Sequence, residues 1–192
     1  MNSKPITIRM ATENDTEEIL GVYAPYVTDT TITFEYDIPG IDDFAKRIKH
    51  TLAKYPYLVA VLENRVVGYT YASSFKDRAA YDWSVEVTVY INQDCKAKGI
   101  GKELYMALEE ILKKQNIINL YACITYPNPS SIGFHEYMGY KTVGCFTKCG
   151  YKLGLWIDMI WMEKIIGEHL VTPNKVTPIS QLEQIIGLKK SK

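Results

Sequence analysis

The sequence predicts a mixed α/β domain built around a mostly antiparallel sheet. Three observations carry that fold class. Short stretches of alternating polarity recur along the 192 residues, amphipathic stretches with helical spacing separate them, and one long strand runs into a glycine-opened helix. A chain of this length can bury a core without disulfides or metal.

Ile6 to Met10 alternates like a strand, and Thr12 to Tyr26 follows as a helix, with Thr12 or Asn14 as N-cap before Ile19, Leu20 and Tyr23. After Pro39-Gly40, the stretch Ile41 to Lys54 spaces Phe44, Ile48 and Leu52 four apart, one face of a second helix that Pro56 ends. Leu58 to Leu62 and Val66 to Ala72 flank Glu63-Asn64-Arg65 as an antiparallel hairpin. A longer strand runs from Trp83 to Ile91. Gly99-Ile-Gly101 opens the clearest helix, with Ile100, Leu104, Leu108, Ile111 and Leu112 facing inward. Asn119 to Thr125 is a short strand. Asn128-Pro129 then supplies a cap and a first-turn proline for a helix from Ser130 to Met138, which Gly139 stops. Two strands, Lys141 to Cys149 and Leu155 to Lys164, close the domain around a turn from Gly150 to Gly154.

Beyond about Gly167 the composition shifts to Pro, Thr, Asn and Lys, with one apolar patch at Ile179, Leu182, Ile185 and Ile186. Residues 1–166 are therefore expected to form the domain. Residues 167–192 are expected to be a C-terminal tail in which that patch suits a short helix. So few apolar residues cannot build a second core, and the tail is expected to be dispensable for chemistry.

Lys plus Arg and Asp plus Glu both number 22, so no overall field recruits nucleic acid or an anionic membrane. The 15 tyrosines and 3 tryptophans are spread over strand and helix faces without a basic groove, which favours core and pocket lining over base stacking. Apolar runs stop well short of the roughly 20 residues that span a bilayer. Cys95, Cys123, Cys145 and Cys149 lack the density of a disulfide scaffold and the paired spacing of a zinc site. No apolar signal segment opens the sequence. The expectation is a soluble protein of the reducing cytoplasm with no structural metal.

Two features suggest chemistry. The first is the strand, glycine-turn, helix unit from Trp83 to Lys113. Unpaired N–H groups and the positive end of the dipole make such a helix start an anion site, and glycine admits a phosphate close to the backbone. Lys96, Lys98 and Lys102 add charge there, although a tight turn with solvated lysines has the same spacing. The second is Glu86, a carboxylate in a valine-rich strand, costly there unless paired or used. Ser84, Glu86, Thr88 and Tyr90 share one side of an ideal strand, so an outward polar face is the alternative to a proton-accepting glutamate.

Lys96-Ala-Lys-Gly99-Ile-Gly101 resembles the acetyl-CoA pyrophosphate loop of the GNAT N-acetyltransferases, with Lys96 replacing the usual Gln or Arg. Asn128-Pro-Ser-Ser131, continuing through Phe134 and His135 to Gly139-Tyr140, resembles their second signature. Within that superfamily the sequence is most similar to phosphinothricin and methionine sulfoximine or sulfone acetyltransferases, through Ala80 to Ile91, Gly150 to Asp158, Ile8 to Thr12 and Thr31 to Glu35. The resemblance covers about Ile6 to Lys164.

It implies the GNAT fold, with the sheet splayed between its fourth and fifth strands and acetyl-CoA as cosubstrate in the V. Main-chain groups of Val89, Tyr90 and Ile91 would pair with the pantetheine arm. Ala97, Lys98, Gly99, Ile100, Gly101 and Lys102 would wrap the pyrophosphate, and Asn128 and Ser131 would hold the pantetheine and the thioester end. Glu86 would be the general base. His135, which stands where many members carry a tyrosine, would protonate the leaving thiolate, with Tyr137 and Tyr140 as alternatives and an idle surface histidine as the bland reading. The acceptor would lie near Phe34, Glu35, Lys76, Asp77, Arg78 and Thr88. Lys76, Arg78 or Lys152 would meet its acidic group. The implied reaction is direct acetyl transfer to the primary amine of an amino acid or analogue, by a homodimer. A protein or peptide N-acetyltransferase with an open groove, or a non-catalytic acyl-CoA sensor that has lost its base, are the rival expectations.

Overall fold

The computed structural model describes residues 5–95 and 99–186, with side chains through residue 182. In chain order the elements are β1 (Thr7–Met10), α1 (Thr16–Asp29), α2 (Ile41–Lys54), β2 (Tyr57–Leu62), β3 (Arg65–Ser74), β4 (Ser84–Ile91), α3 (Ile100–Lys114), β5 (Asn119–Tyr126), α4 (Pro129–Tyr137), β6 (Lys141–Lys152), β7 (Leu155–Ile165) and α5 (Ile179–Ile186). The strands form one seven-stranded sheet in the order β1-β2-β3-β4-β5-β7-β6. Every pairing is antiparallel except β4 with β5.

Alternation along the strands divides the core into two layers. Tyr57, Val59 and Tyr69 pack under α1 and α2 with Ile19, Tyr23, Phe44 and Ile48. Their neighbours Leu58, Ala60 and Val67, with Val85 and Val87 of β4, pack on the other face against Leu104, Leu108 and Leu112 of α3. Because side chains alternate faces at every residue, the polar residues Glu86, Thr88 and Tyr90 share the side opposite α3.

Local chemistry explains where the elements begin and turn. The expected helix at Thr12 starts later because Asp15 accepts from the Thr12 N–H at 2.8 Å and pairs with both guanidinium nitrogens of Arg9, at 2.6 and 2.8 Å. Residues Glu13–Asp15 are spent on a 3-10 turn, and α1 follows from Thr16. The β2–β3 turn places Glu63 and Asn64 at φ +53° and +61°, the geometry that matches strand twist in a two-residue hairpin. At the other hairpin, Leu153 and Gly154 take φ +51° and +80°. β6 therefore continues to Lys152 rather than stopping at Cys149, and register shifts at Thr142/Gly144 and Phe146/Gly150 absorb the extra residues.

The segment after β7 packs against the domain. The Trp83 indole donates to the Asn174 carbonyl at 2.7 Å, and the fully buried Gln115 amide donates to the carbonyls of Lys54 and Thr177, both at 2.8 Å. α5 then lies against α2, with Ile179 and Leu182 buried. No helix among the described residues is long and apolar enough to cross a membrane.

Candidate functional site

The sheet opens at one point. β4 and β5 are paired only from Ser84, Val85 and Glu86 to Asn119, Leu120 and Tyr121. Beyond Glu86, β4 follows β3 as far as Ile91 while β5 follows β7 as far as Tyr126. The two strands diverge into a V with Glu86 at its apex. Glu86 is partly buried and makes no hydrogen bond or ion pair with any described residue. Burial raises its pKa above the ordinary glutamate value, and the nearby Lys76 charge opposes that rise in part.

Two cavities fill the V. One, of about 550 Å³, is lined by Glu86, Thr88, Glu35, Arg47, Tyr105 and His135 among others. The second, of about 600 Å³, runs over the start of α3, along Ile91, Gly99, Ile100, Gly101 and Lys102. Ile32, Val89, Tyr90, Asn128 and Ser131 border both. The structure thus brings Glu86, His135, Val89, Tyr90, Ile91, Gly99, Ile100, Gly101, Lys102, Asn128, Ser131, Phe34, Glu35 and Thr88 to one connected site. Ala97 and Lys98, with Lys96, lie outside the described residues.

At the start of α3, Gly99 has φ +79°, which glycine tolerates without a Cβ penalty. The Lys102 ammonium donates to the Tyr137 hydroxyl at 2.8 Å on the rim of this cavity. Across the V, the Asn128 side-chain amide oxygen (Oδ1) accepts from the Ser131 N–H at 3.2 Å and caps α4.

His135 is buried, only 4 % exposed. Its Nδ1 lies 2.7 Å from the Ser131 carbonyl, which can only accept, so Nδ1 carries the proton. In the neutral ring Nε2 therefore accepts from the Tyr105 hydroxyl at 3.0 Å. Burial lowers the His135 pKa, with the Ser131 carbonyl opposing. Tyr105, whose own pKa burial raises, brings its ring to the cavity wall. The signal for Tyr105 in the sequence is its spacing to Leu108 and Leu112, which puts it on the inward face of α3 among core residues. Of the alternatives to His135, Tyr137 stands exposed beside Lys102 and Tyr140 is buried with an unpartnered hydroxyl.

The loop between α1 and α2 roofs the Glu86 cavity. Phe34 packs so closely on Gly150 that a Cβ there would fall 2.2 Å from its ring. The Tyr36 hydroxyl donates to the Tyr151 carbonyl. Lys152, expected to meet an acceptor acid, does not reach the cavity. It is 2 % exposed, and its ammonium donates to the carbonyls of Val27 and Thr33 at 2.6 and 2.8 Å. The cation sits at the C-terminal end of α1, where orphan carbonyls and the dipole favour it, and it fastens the roof loop to β6. Lys76, Asp77 and Arg78 are exposed on the β3–β4 connection, outside the cavity lining; Lys76 approaches closely enough to act on Glu86. Arg47, which the reading of the sequence did not single out, lines the cavity from α2 and pairs with Glu35 at 2.5 Å. Its signal was a basic residue beside the buried Phe44 and Ile48.

This geometry agrees with the comparisons to known proteins. The acetyltransferase (GNAT) domain family matches residues 8–161. The chain is 32 % identical over 179 residues to the phosphinothricin N-acetyltransferase of Streptomyces viridochromogenes, covering 93 % of this chain and 97 % of that one. It is 32 % identical over 162 residues to the L-methionine sulfoximine/L-methionine sulfone acetyltransferase of Pseudomonas paraeruginosa, covering 82 % and 92 %. Among solved structures, a GNAT superfamily phosphinothricin acetyltransferase from Sinorhizobium meliloti in complex with AcCoA superposes with a TM-score of 0.86 at 33 % identity, over 91 % of this chain and 97 % of that one. The chain belongs to the GNAT family and is an acetyltransferase.

Proposed function

We propose that this enzyme transfers acetyl from acetyl-CoA to the primary amine of a small amino acid or analogue, by direct attack in a ternary complex. The observation that carries the reading is Glu86 at the apex of the V, on the wall of the roofed cavity, which adjoins the α3 cavity along Val89, Tyr90, Asn128 and Ser131. The α3 cavity suits acetyl-CoA: helix N–H groups and Lys102 for its phosphates, for the pantetheine the edge of Val89 to Ile91 that no strand pairs, and Asn128 and Ser131 near the thioester. Ala97 and Lys98 belong to the same proposed loop.

Glu86, its pKa raised, takes the proton of the acceptor ammonium, directly or through water, and frees the amine to attack the thioester carbonyl. The thiolate that departs needs only a modest donor. His135 acts there through Tyr105: Nε2 takes up, through water, the proton that the attacking nitrogen sheds on forming the amide, and passes it to the Tyr105 oxygen as the Tyr105 hydroxyl gives its own proton to the thiolate. No covalent enzyme intermediate is required. Cys123 on the cavity wall is a poor nucleophile because burial pushes its thiol up to about 12.

The roof formed by Phe34, Tyr36 and the Lys152 latch supports a closed pocket for a small acceptor rather than a groove for a peptide. Phe34, Glu35 and Thr88 line it, and the exposed β3–β4 connection of Lys76, Asp77 and Arg78 lies outside it, with the Lys76 charge reaching Glu86. The exposed edge strand β6, with Phe146, and the neighbouring Leu155 and Trp156 of β7 support a homodimer through these strands. Four free thiols, two of them exposed, support a reducing cytoplasm.

The deciding experiment is a thiol-release assay with acetyl-CoA against phosphinothricin, methionine sulfoximine, methionine sulfone, polyamines and peptides. Turnover is expected on the amino-acid analogues. Turnover on peptides alone would overturn the small-acceptor reading, and tight acetyl-CoA binding without turnover on any amine would make the protein a sensor.

A further inference from the structure

The roofed cavity has an uneven distribution of charge. Among its described lining residues the acids are Glu35 and Glu86, His135 is buried with its pKa lowered, and the permanent cation is Arg47. The other basic candidates are elsewhere. Lys152 is spent on two carbonyls, and Lys76 and Arg78 are exposed outside the lining. Arg47 is held on a rigid helix by its neighbours, with its guanidinium 5.9 Å from the centre of the Phe44 ring and one arm on Glu35 at 2.5 Å. Its side chain is half exposed, so further N–H donors of the planar fork remain open to the cavity.

We infer that Arg47 is a specificity-determining residue that receives an anionic group at the side-chain end of the acceptor. This rests on the proposed acetyl transfer with Glu86 as the amine-side group. Tyr71 feels the charges of Glu86, Arg47 and Glu35 together, so the base on β4 and the guanidinium on α2 both lie within electrostatic reach of one tyrosine on the cavity wall. An acceptor whose ammonium meets Glu86 keeps its α-carboxylate one carbon away, close to Glu86, where the Lys76 charge acts. The group that reaches Arg47 is the one at the far end. A phosphinate or carboxylate there makes charge-assisted bonds with the guanidinium, which a neutral sulfone does not match. Glu35 shares Arg47 and repels a second anion, so it sets how strongly that anion is preferred.

Phosphinothricin and methionine sulfone separate the two ends, because they share the α-amino acid head and differ in side-chain charge. The test uses steady-state kinetics at saturating acetyl-CoA on the full chain and on Arg47→Gln, Arg47→Lys and Glu35→Gln. Arg47→Gln is expected to raise KM for phosphinothricin about tenfold or more and KM for methionine sulfone less than about threefold, with Arg47→Lys between. Glu35→Gln is expected to lower KM for phosphinothricin. Equal increases for both acceptors, or no increase for either, would overturn the assignment. Calorimetry with the same two acids reads the same contrast without turnover. A wild type that binds them with the Arg47-dependent contrast but releases no thiol overturns the proposed reaction alone. A wild type that binds neither overturns both.

Discussion

Glu86 stands opposite Tyr121 in the last register pair that β4 and β5 share. One residue further the sheet has no cross-strand partner on that edge, so the carboxylate is set where backbone groups and a cavity begin together. Replacing Glu86 with Gln keeps its shape and removes the base. Turnover at neutral pH is expected to fall about a hundredfold or more, while acetyl-CoA affinity stays within about twofold. The base must be ionised, and burial raises its pKa, so the acidic limb of the wild-type profile is expected above pH 4.5, the ordinary value. In Glu86→Gln that limb should flatten, with partial recovery at high pH as free amine appears. Near-normal turnover of the variant across the range would move the base to Glu35 or His135.

Gly101 tests the phosphate assignment. A Cβ there would meet only the Phe134 ring, at 3.5 Å, an ordinary contact, so Gly101→Val is expected to fold. Its branched side chain would nevertheless occupy the α3 cavity, and the acetyl-CoA dissociation constant is expected to rise at least about tenfold. Unchanged affinity by calorimetry in a folded variant would remove the loop from the cofactor site.

His135 makes a prediction about stability. Its folded pKa is lowered by burial from 6.5, so between those two values the unfolded chain binds the proton and the folded chain does not. Stability is therefore unaffected by this group above pH 6.5 and falls as pH drops from there toward the folded pKa. Urea unfolding at stepped pH should show that loss in the wild type and a shallower one in His135→Asn. Parallel slopes would mean that the ring takes up its proton alike in the folded and unfolded chain.

The C-terminal segment should support stability rather than chemistry. Leu182, on α5, is 5 % exposed, and Leu182→Ala is expected to cost about 2–3 kcal/mol in chemical denaturation. Truncation after Glu168 should lower the melting temperature while leaving kcat within a few-fold at low temperature. A large loss of kcat with an unchanged melting temperature would tie the segment to the acceptor site.

Trp156, 63 % exposed beside the β6 edge, tests assembly. The wild type is expected to sediment as a dimer and Trp156→Asp as a folded monomer or a weakened dimer. A monomeric wild type would discard the β6–β7 interface.

Much of the architecture was legible because local rules and tertiary contacts agree. α2 spans Ile41–Lys54 as the Phe44, Ile48 and Leu52 spacing predicts, and α3 begins at Ile100 where the glycines predict. Strand ends were less legible. β6 runs three residues past Cys149 because bulges and a Leu153–Gly154 turn depend on pairing with β7, which no local period encodes. Single positions in the site divide the same way. Glu86 announced itself as a carboxylate among valines, whereas Tyr105 looked like one more core aromatic and Arg47 like one more helix-surface cation.

The sequence by itself determined the α/β order, the glycine-opened helix and, through its two motifs, the acetyltransferase family. These depend on hydrophobic period, backbone freedom at glycine and residue identity, which are local. The tertiary structure alone decided that Lys152 is a latch, that His135 is buried with Nδ1 on the Ser131 carbonyl and Nε2 facing Tyr105, and that Arg47 enters the roofed cavity. The bonds between Lys152 and Val27, and between His135 and Tyr105, join residues 125 and 30 positions apart. A side chain's partners, and hence its charge state and task, are set by such long-range packing rather than by its neighbours in the chain.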